Sequence, residues 1–293
     1  MIGLGYIAGM LKIIKQELTT DLTKIVFKVS IPCLIIANMV TTYNREMLMT
    51  TLALPVFAFV TLILVNLPLG FLASRIFKIK ESHKNQFIYL NFIQNYYYIA
   101  LPLSLLLFGD KGVLFVFLYG FVGDIVLWTL GVRLYDTSGT KTSWKQLINP
   151  GILALFVGFI LAMLEVKLPE IIISPLKSIG SITTPLAMLI TGAIISNLKI
   201  HNAKRIILSK DMALIVALKL FIAPAIIVFL TGLFNLDPVV RAIIVLQASM
   251  PCAFSAILFA TEYKKDADYP AAAALFTTVL SLVTIPLFLY FLR

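Results

Sequence analysis

FIYLNFIQNYYYIALPLSLLLFG, residues Phe87 to Gly109, is apolar and long enough to cross a bilayer, yet its middle carries Gln94, Asn95, three consecutive tyrosines and Pro102. Proline lacks an amide hydrogen and its ring collides with the carbonyl four residues earlier, so a helix over this stretch should kink or break. In hydrocarbon, freed backbone groups persist only where protein or a water-filled cavity satisfies them. A polar, interrupted membrane helix is therefore a candidate solute site. A proline-kinked helix whose amides merely bond to neighbours would carry the same sequence.

The remainder of the chain agrees with a membrane setting. Of its 293 residues, 60% are hydrophobic and 13% charged, with a mean hydropathy of +0.99, where a soluble domain carries about a quarter charged residues. At about 20 apolar residues per span, ten segments emerge: 2–14, 22–42, 47–75, 86–108, 112–132, 149–166, 170–197, 211–233, 238–260 and 269–292. The net charge of +10 does not point to nucleic acid, because seventeen of the 24 lysines and arginines group with the loops after odd-numbered segments and five with the even-numbered ones. The positive-inside rule then puts the odd loops in the cytoplasm and both termini outside. The expectation is an all-α, multi-pass protein of the cell membrane, in contact with lipid.

Several chemistries find no support. Cys33 and Cys252 each follow a proline within an apolar segment and read as buried thiols. His83 and His201 lie in basic loops. Without an HExxH pattern, a cysteine cluster or a phosphate-cradling glycine loop, no metal, cofactor or nucleotide hydrolysis is expected within this chain. Gly120 to Asp124 and Tyr135-Asp136 superficially resemble the two motifs of intramembrane aspartyl proteases, but their order and glycine spacing are wrong. No enzymatic activity is expected. The N-terminal lysines follow the first apolar run, the reverse of a secretory signal.

Spacing reveals an internal repeat. Gly5 to Pro32 and Gly158 to Pro185 both span 27 residues, offset by 153, and Pro102 and Pro251 repeat the relation at 149. Five segments per half is an odd number, so the second half, 147–293, should sit upside down relative to the first, 1–146. Inverted repeats with paired broken helices typify secondary transporters, whose site lies where the interruptions meet. By the same offset the first helix is about five residues shorter than its counterpart. Either it is a short span or the chain starts upstream of Met1, and the second is the expectation.

Six stretches, in order and at matching spacing, carry a family resemblance: Ser30 to Ile35 (SIPCLI), Asn95 to Leu103 (NYYYIALPL), Asn149-Pro150 with Gly158, Thr184 to Gly192 (TPLAMLITG), Lys219 to Pro224 (KLFIAP), and Met250-Pro251 through Tyr263. Together they resemble the auxin efflux carrier family of bacterial, archaeal and plant membrane transporters. The resemblance implies a fold similar to that of bile-acid sodium symporters. Spans 1, 2, 6 and 7 would form a scaffold domain, and spans 3–5 and 8–10 a transport domain. Helices four and nine would be broken and cross at Asn95–Pro102 and around Pro251. The resemblance also implies a homodimer and the movement of organic anions such as auxin or dicarboxylates. Two departures stand out: Tyr96-Tyr97 replaces the family's Thr-Gly, and Ser255 replaces an asparagine. They imply a smaller pocket, or an aromatic ligand stacked on tyrosine.

Gln94, Asn95, Tyr97, Pro102, Gln247, Pro251 and Ser255 flank the two interruptions, where freed amides and half-helix N-termini offer partial positive charge to a carboxylate. Asn38 and Thr191 each stand six residues past a repeat proline, placed either to touch solute or to bond helix to helix. Asp124 and Lys219 lie nine residues from Arg133 and Lys210, hence ~13 Å from the cytoplasmic face at ~1.5 Å per residue. Opposite charges at one depth are placed for an ion pair, and Asp124 is the residue that would carry a coupling proton. Lys177, equivalent to Lys24 by the offset, sits near the end of its span and can snorkel. The expected function is secondary transport of a small organic anion by alternating access. The alternatives are sodium-coupled symport on the same architecture and a membrane sensor without flux.

Overall fold

The computed structural model describes residues 1–42, 53–135, 150–197 and 203–291. Arg45, Asp136, Asn149, His201 and the expected repeat boundary at 146/147 lie outside them. Every regular element among the described residues is helical, apart from an isolated antiparallel bridge between Gln94 and Cys252. Six helical segments are long and apolar enough to cross a membrane: Gln16–Thr41, Ala53–Ile76, Lys111–Tyr135, Glu170–Ser196, Lys210–Gly232 and Asp268–Tyr290. Shorter apolar helices occupy Ala100–Gly109, Leu153–Met163 and Pro238–Ala248, and Ile2–Met10 opens the chain. Large apolar side chains point outward from the long helices, with Leu64, Phe229, Leu282 and Val283 each at least 67% exposed. Apolar surface on this scale is stable only when covered, and on a multi-pass membrane protein lipid covers it.

Prolines shape these helices locally. Pro32 and Pro224 each follow a widened, π-helical turn, at Val26–Ser30 and Ala217–Ile222. Their rings would strike the carbonyls of Lys28 and Leu220, and the extra residue in the turn moves those carbonyls aside. The second of these turns carries Lys219.

The chain divides into two compact units. The first comprises Met1–Pro55, Tyr97–Phe121 and Ser143–Leu198. Within it, Ile2–Met10 packs on Thr183–Asn197, and Pro150–Met163 packs on Ile31–Thr42. A glycine makes each approach possible: Gly5 lies against the main chain of Leu189, and Gly158 against Ile36 and Met39. Leu189 and Ile36 are each four residues beyond a repeat proline, Pro185 and Pro32. The two short helices also end alike, with Lys12 (φ 58) and Glu165 (φ 51) in the left-handed cap conformation that glycine usually supplies. Those residues are 153 apart, the offset found in the sequence.

The second unit comprises Val56–Tyr96, Val122–Thr142 and Lys199–Arg293. Residues 97–121, expected to travel with it, cluster instead with the first. Its core holds an edge-to-face aromatic group, in which the Tyr89 ring lies 5.1 Å from Tyr135, 5.7 Å from Phe92 and 5.8 Å from Phe259. Such pairs add about 0.5–1.5 kcal/mol each beyond burial. At one end, Gln86 Nε2 donates to Asp266 O at 2.6 Å and the His83 ring stacks on Tyr269 at 4.4 Å. These contacts tie the start of Glu81–Phe92 to the start of Asp268–Tyr290 and hold the first half of the interrupted helix in place.

Candidate functional site

The fourth segment is interrupted at 93–99 and the ninth at 249–254. Helix Glu81–Phe92 stops where Ile93 turns extended (φ −95, ψ 123), and helix resumes at Ala100. Pro102 is therefore not the break but the third residue of the following helix. Its missing N–H costs nothing there, while its ring bars helix from continuing back through Tyr98. On the other side, Pro238–Ala248 stops before Pro251 and Ser255–Glu262 resumes after it. The two extended stretches meet within the second unit. Gln94 pairs with Cys252 in the antiparallel bridge, and Asn95 N donates to Pro251 O at 2.9 Å. Pro251 can serve there only as an acceptor, which is the role it has.

A helix that stops inside a membrane leaves its last carbonyls without intrahelical donors. Of those of Glu81–Phe92, Tyr89 O accepts from Ile93 N at 2.9 Å, and the next two are met from elsewhere in the chain. Lys219 Nζ donates to Asn91 O at 3.0 Å, with a longer contact to Gln94 Oε1 at 3.5 Å. Cys252 Sγ donates to Leu90 O at 3.4 Å. Lys219 is 1% exposed. The helix Pro238–Ala248 closes on itself instead: Ser249 N donates to Val245 O and Leu246 O at 3.0 and 3.1 Å, and Ser249 Oγ to Val245 O at 2.8 Å. On the restarting side, Cys252 N donates to the buried Thr277 Oγ1 at 3.2 Å.

The other candidate residues fall as follows. Asp124 Oδ1 accepts from the Tyr96 hydroxyl at 2.9 Å, so Asp124 and Lys219 meet different partners. Ser255 Oγ shares a 2.7 Å hydrogen bond with Tyr89 OH. Gln247 is fully buried, and among the described residues neither its Oε1 nor its Nε2 has a partner. A buried amide of that kind calls for an explanation. These residues all belong to the second unit, whereas Tyr97, Pro102, Asn38 and Thr191 belong to the first. Tyr97 packs its ring on Gly120 and 6.2 Å from Phe117. Thr191 Oγ1 donates to Ala187 O at 2.8 Å, a bond inside its own helix. Asn38 Nδ2 is buried without a partner among the described residues.

Asn91 and Thr277 were not singled out by the sequence, and Tyr96 and Cys252 were not assigned these contacts. Their one signal is the polar positions Asn91, Gln94 and Asn95 recurring at a helical turn's spacing within an apolar run. Among the described residues no three His, Cys, Asp or Glu side chains group to hold a metal ion. What converges at the interruptions is one ammonium, main-chain polar groups and neutral amides and hydroxyls. Such a set recognises a solute by charge and hydrogen bonds.

Comparison with known proteins is consistent along the whole chain. The profile of a family described as membrane transport protein matches residues 1–143 and 137–289. An uncharacterized transporter of Methanocaldococcus jannaschii is 26% identical over 292 residues, covering 97% of this chain and 92% of that protein. An uncharacterized transporter of Methanothermobacter thermautotrophicus is 23% identical over 290 residues, with the same coverage of 97% and 92%.

Proposed function

The chain belongs to the membrane transport protein family, that of the auxin efflux carriers, and from that premise we propose that it is a secondary transporter of a small organic anion. The observation that carries this reading is the pairing of two interrupted helices through Asn95 N and Pro251 O at 2.9 Å. Extended backbone at membrane depth is tolerated only where protein buries it or a cavity solvates it, and in secondary transporters that is where solute binds. The buried ammonium of Lys219 and the N-terminal end of Ser255–Glu262 favour an anion over a cation.

Two inverted five-helix repeats fit the same picture. They are supported by the matching contacts of Gly5 with Leu189 and Gly158 with Ile36, and by left-handed caps at Lys12 and Glu165. In this reading spans 1, 2, 6 and 7 are the scaffold, and spans 3–5 and 8–10 are the moving part. Gln94, Asn95, Gln247 and Ser255 are the solute contacts proposed there, and the unpartnered Gln247 amide is the strongest of them. Alternating access then exposes the site to one face and the other in turn. The lysine distribution supports extracytoplasmic termini, and a homodimer is the proposed assembly.

The test is a melting-temperature screen of carboxylates on the purified protein, followed by counterflow of each hit in proteoliposomes. A transporter gives saturable counterflow that falls at least tenfold in Gln247→Leu. Stabilisation without counterflow would make the protein a sensor instead. Counterflow that stops when sodium is withdrawn would make it a symporter.

A further inference from the structure

Among the described residues Lys219 has no acidic partner, and it is held in the interior of a membrane protein. Its neighbours are oxygens of neutral groups: Asn91 O at the end of a broken helix and the Gln94 side-chain carbonyl. The ion pairs among the described residues, Lys24–Asp21, His83–Asp266 and Lys84–Glu81, lie elsewhere and are at least partly exposed. An intramembrane charge is costly, and where one persists it points to function. Main-chain oxygens at the C-terminal end of a half-helix are the ligands with which transporters of this general build hold sodium. Here the π-helical turn Ala217–Ile222 delivers an ammonium to those oxygens. We propose that Lys219 is a resident cation, standing where a monovalent metal ion would otherwise bind, so that solute binding requires neither sodium nor potassium. This goes beyond the transport reading by naming what the site does not need. It rests on that reading only for the word solute, since cation occupancy belongs to the protein alone.

The experiment is equilibrium binding of radioactive sodium, and of rubidium as the potassium probe, to the purified full-length protein in detergent. Wild type and Lys219→Arg should show no saturable binding of either ion. Lys219→Ala, which leaves the oxygens and removes the ammonium, should bind at least tenfold more of one of them, displaceable by the unlabelled ion. Saturable binding to wild type overturns the proposal, and so does a monodisperse Lys219→Ala that binds neither ion. Should Lys219→Ala not fold, the wild-type melting temperature decides, in sodium, potassium and choline chloride at equal ionic strength. Equal values uphold the resident cation, and a rise of more than about 5 °C in either metal salt, as mass action gives when an ion binds the folded state, refutes it. No substrate enters these measurements, so a failed counterflow screen would sink the transport reading and leave this result standing.

Discussion

Two helices stop at interruptions joined by the Asn95 N–Pro251 O bond, and they are finished in different ways. Glu81–Phe92 is capped from outside, by the ammonium of Lys219 and the thiol of Cys252. Pro238–Ala248 is capped from within, by the backbone and hydroxyl of Ser249. An internal cap needs one residue and is indifferent to the rest of the fold. An external cap makes the first helix end depend on Lys210–Gly232 and on the extended stretch at 249–254. The two breaks thus differ: the backbone interruption occurs on both sides, and the charge is placed on one side only.

That asymmetry can be broken by substitution. Lys219→Met should have the largest effect, because it strands Asn91 O and loosens Gln94. Leaving a buried acceptor unpaired costs about 1–3 kcal/mol, to be read as a fall in melting temperature that Lys219→Arg largely restores. Thr277→Val leaves the amide of Cys252 without its acceptor and should cost about 1–2 kcal/mol, less than the lysine because one bond is lost and the shape is kept. Tyr96→Phe removes the donor to Asp124 from a half-buried pair, and about 1 kcal/mol is expected. Ser249→Ala should be the mildest, below about 0.5 kcal/mol, since Ser249 N already meets Val245 O and Leu246 O. A Ser249→Ala loss equal to that of Lys219→Met would erase the distinction between the two caps.

Much of this was legible in the sequence, and the limits have physical causes. The breaks were found because Gln94, Asn95, Pro102 and Pro251 are out of place in apolar segments. Their exact register was not, because a proline obstructs the residue four before it and is itself comfortable in a first helical turn. Equal depth suggested Asp124 and Lys219 to each other, yet depth is one coordinate of three. The direction a side chain leaves its helix was hidden, and a π-helical turn rotates it further. Lys219 consequently reaches Asn91 and Gln94, while Asp124 receives Tyr96. The adjacent tyrosines read as one bulky substitution, but Tyr96 belongs to the second unit and Tyr97 to the first.

A lysine anchored to main-chain oxygens cannot leave its helix, so it goes wherever its unit goes. If spans 3–5 and 8–10 shuttle as proposed, part of the transmembrane voltage acts on that charge, at about 2.3 kcal/mol per 100 mV for a full crossing. Asp124 belongs to the same unit, so the empty carrier would move an opposed pair of charges and one holding a monoanion a net negative charge. The cell's resting potential would hurry one leg of the cycle and leave the other untouched.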